Sequence, residues 1–275
     1  MTRRRVKRGL ILPDAHFPFH DKEACEVVVE VCDREDPDFV VTLGDNTDCT
    51  LFSRHGKKAV SELTAHSYLT DEIDPLNKWL DRLQRVRRYE RKSKKPRDLY
   101  YLSGNHEQWF ERWSMEATPH LSLVDDLYKK LSPRALISEG RERFKWVPYY
   151  DTEEHFQKLA LLDSLWLTHG WSHAANAARA HQVKGGRLVG VVHGHTHRSQ
   201  WEATVNPVTK QPLLTGSPGC LASRKRLYKH DKGPDQWVHG YATVQLDETS
   251  GFWSVTPHLI LPGGKVLLQG KVVSA

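Results

Sequence analysis

Short apolar runs recur along the chain, separated by polar segments with helical patterning. The runs are Gly9 to Pro13, Phe39 to Leu43, Leu99 to Ser103, Leu161 to Thr168 and Leu188 to Val192, and each predicts a strand. Between them, Glu23 to Arg34 sets Val27, Val28, Val31 and Cys32 at helical spacing. Ile73 to Val86 does the same with Ile73, Leu76, Leu80 and Leu83. Both segments predict helices with one buried face. Strands alternating with helices make an α/β fold the expectation.

The last third changes character. Tyr241 to Asp247, Phe252 to Ile260 and Lys265 to Val273 alternate in the strand manner and are broken by Gly251 and by Gly263-Gly264. A second, largely antiparallel set of strands is expected there. The connections over 51–97 and 108–158 are longer than α/β units need, and they predict helical insertions able to wall a cleft. With 275 residues and 39% hydrophobic side chains, the chain is read as one domain, residues 1–275, carrying these insertions.

Charge adds a possible partner. The formal net charge is +6 and the pI about 9.1, which favours anionic partners such as DNA or RNA. Arg82 to Arg97 is densely basic with Tyr89 interleaved, and reads either as a solvated helix face and loop or as a nucleic-acid contact. No run approaches the ~20 apolar residues of a membrane helix. The basic start, Met1 to Arg8, has no apolar block behind it. A soluble, cytoplasmic protein with no membrane partner is expected. Cys25, Cys32, Cys49 and Cys220 lack paired spacing, so neither a zinc clamp nor a disulfide framework is suggested.

The chemistry lies where the apolar runs stop. They end in Asp14-Ala15-His16, Gly44-Asp45-Asn46-Thr47-Asp48, Gly104-Asn105-His106-Glu107, His169-Gly170 and His193-Gly194-His195-Thr196-His197. Loops at the carboxyl ends of strands in an α/β sheet converge on one crevice, so these residues can meet. Carboxylate, imidazole and amide donors together suit Mn, Fe, Zn, Ni or Mg. So many donors exceed the needs of one cation and fit two, about 3.5 to 4 Å apart with a shared carboxylate between them. Gly44, Gly104 and Gly194 let the backbone turn tightly and pass close to such a site.

This series resembles the calcineurin-like metallophosphoesterase superfamily, whose pattern is DxH, GDxxD, GNH(D/E), H and GHxH. Here the blocks read DAH, GDNTD, GNHE, HG and GHTH, from Asp14 to His197. The resemblance implies a four-layer α/β/β/α sandwich with mixed sheets. It implies that Asp14, His16 and His197 hold one metal, that Asn105, His169 and His195 hold the second, and that Asp45 bridges them. His106 would face the phosphate and either protonate the leaving oxygen or stabilise the developing charge, a role typically worth ~10²–10⁴-fold. Two divalent cations, with Mn first among the candidates, would acidify a bridging water to hydroxide and neutralise the phosphate oxygens.

Other residues carry less. Asp48 reads as a cap or as the orienting partner of a metal-bound histidine, and Glu107 as an acid early in a helix. His20, His55, His66, His173 and His181 lie outside the blocks and read mainly as surface or satisfied histidines. His55 and His173, with Arg198 after GHTH, are retained as substrate contacts. Phosphoprotein phosphatases of this superfamily carry Arg-Gly after GDxxD, where Cys49-Thr50 stands here. The expected substrate is therefore a phosphodiester in nucleic acid or nucleotides. The alternatives are a small-molecule phosphomonoesterase and, from another class, a catalytically silent nucleic-acid-binding module.

Overall fold

The computed structural model describes residues 6–52, 65–85, 95–117, 130–150, 156–174, 177, 188–224 and 236–275, the side chains of 115–117 excepted. Two mixed sheets organise them. The first contains β1 (Lys7–Leu12), β2 (Phe39–Thr42), β3 (Asp98–Leu102) and β4 (Phe144–Val147), all parallel. β10 (Gly240–Asp247) adds antiparallel to β1, and β11 (Phe252–Leu259) adds antiparallel to β10. The second sheet runs β5 (Leu159–Leu162), β6 (Leu165–Thr168), β7 (Gly190–His193), β9 (Pro212–Pro218) and β8 (Ser199–Val205). Its three central strands are parallel and its two edge strands antiparallel.

Successive side chains of a strand point to opposite faces, and this divides the core in two. Leu10, Leu12, Val40, Leu99 and Tyr101 face the helices, whereas Ile11, Phe39, Val41 and Leu43 face the second sheet, against Leu165, Leu167 and Val192. Each fully buried Val or Leu contributes roughly 1.5–3 kcal/mol, so one face of β1 cannot be made polar without unseating a layer.

Helix α1 (Lys22–Glu35) crosses between β1 and β2. The Asp21 side chain caps it by accepting from the Ala24 amide, and Asp36 ends it in the left-handed region. Cys25 and Cys32 lie buried on its inner side as small core residues, the Cys32 thiol donating to the Leu83 carbonyl at 3.5 Å. Helix α3 (Asp74–Gln84) packs on α1 and follows a short helix, α2 (Ala65–Ser67), and a π-helical turn, Tyr68–Ile73. Helix α4 (Asn105–Ala117) follows β3. The short helix Pro133–Ser138 precedes β4. Three of the four expected layers are thus formed by described residues: helices, first sheet, second sheet.

Three expectations need correction. Of the late strands, β10 and β11 join no separate set but extend the first sheet beside β1. Lys265 to Val273 is no single strand but the hairpin β12 (Lys265–Leu268) and β13 (Lys271–Ser274), turned at Gln269-Gly270 and packed on α1. Leu161 to Thr168 is likewise broken, by a turn at Asp163-Ser164 between β5 and β6. Local alternation cannot reveal the first, because partner choice is made by distant strands, whereas the other two are hairpins whose turn residues, Gln269-Gly270 and Asp163-Ser164, are local signals.

The basic stretch is partly spent internally. Arg82 forks onto Glu26 at 2.5 and 2.7 Å. Arg97 is 1% exposed, pairs with Asp36 Oδ1 at 3.0 Å, and donates to the Leu83, Arg85 and Cys32 carbonyls. Residues 86–94 of that stretch lie outside the described residues. No helix among the described residues is long and apolar enough to cross a membrane.

Candidate metal centre

The parallel registers align Leu12 with Thr42, Thr42 with Tyr101, and Thr168 with His193, so β1, β2, β3, β6 and β7 present their carboxyl ends together. Backbone bonds then stitch the loops to one another. His16 N donates to Asp45 O at 2.9 Å, Phe17 N to Asn46 O at 2.8 Å and Gly194 N to His169 O at 3.0 Å. His16, Asp45, His195 and His197 all adopt positive φ, from 48 to 69°. Side-chain-bearing residues rarely do so, and four cases in one centre mark strain held by the surrounding packing. The glycines make room: a Cβ on Gly104 would stand 2.1 Å from Asp45 Oδ1, and one on Gly194 2.3 Å from Asp14 Oδ1.

Three overlapping groups of donors result. Asp14, His16 and His197 form one, Asp45, His169 and His195 form another, and His16, Asp45 and His106 form the third, with the donor atoms of each group within 4.8 Å of one another. In the first, His16 Nε2 lies 3.1 Å from His197 Nε2, which lies 3.2 Å from Asp14 Oδ2. In the second, His169 Nδ1 donates to the Leu43 carbonyl at 2.9 Å, so a neutral ring has a bare Nε2. Around that nitrogen stand Asn105 Oδ1 at 3.1 Å, Asp45 Oδ2 at 3.2 Å and His195 Nδ1 at 3.2 Å. One proton satisfies one of these contacts; a cation satisfies all four atoms at once. Asp45 Oδ2 is also 3.9 Å from His16 Nε2, which places it between these two groups. Asp14 Oδ1 is buried and without a hydrogen-bond partner, a further lone pair open to an ion.

Electrostatics reflect the crowding. Burial opposes charge on both Asp14 and Asp45, but the neighbouring histidines outweigh it and lower both pKa values. Burial likewise opposes a charged His169, yet Asp45 pushes it up to about 9. His195 falls to about 2 through burial and then the charge of His169. This set of buried anions and imidazoles fits a divalent metal.

His106 shares a donor group with His16 and Asp45. Its Nδ1 donates to the Asp48 carbonyl at 3.0 Å, leaving Nε2 toward Asp45 Oδ2 at 3.8 Å. Despite burial, Asp45 and Asp48 push its pKa up to about 10. Asp48 also accepts from His16 Nδ1 at 2.9 Å, so it orients two histidines at once. The His173 ring lies tilted against His195, with 3.9 Å between centroids and 41° between planes, and the charge of the half-buried Arg198 reaches His173. His55 lies outside the described residues.

Sequence reasoning understated or missed several residues. Glu107 is no mere helix-start acid. It accepts from Gly104 N at 2.8 Å, Asn46 N at 3.0 Å, Asp45 N at 3.1 Å and Thr47 N at 3.4 Å, and from Tyr101 Oη at 2.7 Å. Its place in GNHE was the available signal. Glu72, in the π-helical turn, accepts from Thr47 Oγ1 at 2.9 Å and Thr50 N at 3.2 Å. Burial and then Asp48 push Glu72 up to about 7. Trp237 sets its ring at 80° to His197, with 4.3 Å between centroids. Nothing local marks Glu72 or Trp237.

A family model described as calcineurin-like phosphoesterase matches residues 8–199. No curated protein matches the chain. Among solved structures it is similar to a single mutant of Vps29 from Entamoeba histolytica, with 12% identity, TM-score 0.42, and coverage of 98% of this chain and 97% of that one. Vps29 from Cryptosporidium parvum gives 14% identity, TM-score 0.39 and coverage of 98% and 96%. Yfce, a phosphoesterase from E. coli, gives 16% identity, TM-score 0.35 and coverage of 90% and 98%.

Proposed function

Since the chain belongs to the calcineurin-like phosphoesterase family, we propose that it is a metal-dependent phosphodiesterase acting on nucleic acid or nucleotides. We read it as one domain. Asp14, His16 and His197 would hold one cation and Asn105, His169 and His195 the other, with Asp45 serving both. The observation that supports this most is the crowding of oxygen and nitrogen donors around His169 Nε2, each within 3.2 Å. When bound, the cations supply an acidified water and neutralise phosphate charge; Mn is our first candidate.

The remaining chemistry falls to the chain's own side chains. His106, fixed through Nδ1 by the Asp48 carbonyl, presents Nε2 to the centre and gives a proton to the leaving oxygen. His173, against His195, and Arg198 meet the non-bridging phosphate oxygens. The net charge of +6 draws a polyanionic substrate.

A substrate panel tests the reading. Single- and double-stranded oligonucleotides, cyclic nucleotides, bis(p-nitrophenyl) phosphate and p-nitrophenyl phosphate are assayed with Mn, Ni, Zn and Mg. Cleavage of diesters above the monoester is expected. Activity confined to the monoester would replace the diesterase by a phosphomonoesterase, and oligonucleotide binding with no hydrolysis under any metal would leave a binding module.

A further inference from the structure

Beside the catalytic His106, α4 carries two indole rings that the chemistry above does not use. α4 carries His106, Trp109 and Trp113 at intervals of three and four residues, so they line one side of the helix. Trp109 lies against the His106 ring, with 3.8 Å between centroids and 31° between planes. His106 is 9% exposed and Trp113 43%, so the strip rises from the buried centre to solvent. Phe52 and Phe110 support Trp113, their ring centroids 5.2 and 5.9 Å away. The seven residue steps from His106 to Trp113 span about 10.5 Å of helix. That is about three nucleotides at the ~3.4 Å rise of stacked bases.

Resting on the nucleic-acid reading, we propose that Trp109 and Trp113 form a stacking track for the bases of a single-stranded substrate, leading from the reacting phosphate outward along α4. Continuity with the metal centre names the occupant: a strand whose phosphate sits there must send its next nucleotides somewhere, and this side of α4 is aromatic. Any base offers a π-face, so an indole platform is tolerant of sequence. A duplex turns those faces to its own neighbouring pairs and leaves only base edges to a protein. The basic chain supplies the backbone attraction that stacking lacks.

Trp113→Ala and Trp113→Phe, made in the full chain, test the track. Steady-state cleavage is measured with Mn on a dT decamer, an abasic decamer and bis(p-nitrophenyl) phosphate. Anisotropy of a labelled dT decamer in EDTA reads binding without turnover. Trp113→Ala is expected to raise the KM for the dT decamer, relative to that for the small diester, by on the order of tenfold. It should weaken decamer binding in EDTA by a similar factor, and Trp113→Phe should recover most of both. The abasic decamer should show no such ratio.

An equal KM change on decamer and small diester would overturn the track, as would an equal loss on the abasic strand. So would a change of oligomeric state in Trp113→Ala by light scattering, which would make Trp113 a contact between copies. If the wild-type protein cleaves the small diester and no oligonucleotide, the nucleic-acid reading fails and takes the track with it. Oligonucleotide cleavage with an unaltered KM in Trp113→Ala sinks the track alone.

Discussion

The two sheets reach the metal centre by different means. The loops after β1, β2 and β3 are pinned by buried acids: Glu107 gathers four amides and the Tyr101 hydroxyl, Glu72 holds Thr47 and Thr50, and Asp48 holds His16. The loops after β6 and β7, His169 to His173 and Gly194 to Arg198, contain no acid. They hang on the first sheet instead, His169 Nδ1 from the Leu43 carbonyl at 2.9 Å and His195 N from Asp14 Oδ2 at 2.7 Å. A buried acid stripped of its donors, or donors stripped of their acid, costs more than one lost hydrogen bond. Damage to the first sheet's acids therefore spreads across the donor groups, whereas damage to the second sheet's histidines stays local.

The sharpest way to break this comparison is Asp45→Ala. Metal analysis is expected to fall from about two equivalents to below one. Turnover should fall by about 10⁴-fold or more, beyond what loss of a single positioned acid does. Retention of two equivalents would remove Asp45 from its place between the groups. His106→Ala should keep its metal and lose ~10²–10⁴ in kcat; full activity there would refute the proton-donor role. His195→Ala should lose about one equivalent while Asp14→Ala loses more, because Asp14 is both donor to its own group and acceptor for the His195 amide. Equal losses measured by calorimetric Mn titration would erase the asymmetry.

The smallest effect concerns Glu72, raised from an ordinary 4.5 to about 7. The folded protein keeps a proton that the unfolded chain has released, so stability falls as pH climbs from about 4.5 through about 7. The whole effect is on the order of 3 kcal/mol. Glu72→Gln should flatten that fall in metal-free thermal melts between pH 5 and 8, and an unaltered slope would show that Glu72 is ionised throughout.

The donors were legible because each stands directly after an apolar run, and strand ends of parallel sheets converge by geometry. Asp48 was legible as an orienting acid for the same reason. Glu72 was not: its carboxylate enters the centre from a π-helical turn 24 residues beyond Asp48, and only packing on Thr47 and Thr50 reveals it. Arg97 misled in the opposite sense, since a basic run gave no sign that its last member is buried against Asp36.

Local alternation and spacing in this chain were enough to determine an α/β fold, where most strands stop, and which donor-bearing side chains stand at the strand ends. These follow from backbone periodicity and donor chemistry, which any short stretch carries within itself. Only the tertiary structure decided that β10 lies beside β1, that Glu107 and Glu72 brace the centre, and that Trp109 and Trp113 lead out of it. Those facts depend on which distant surfaces bury one another, and burial energy belongs to the assembled pair of surfaces rather than to either segment alone.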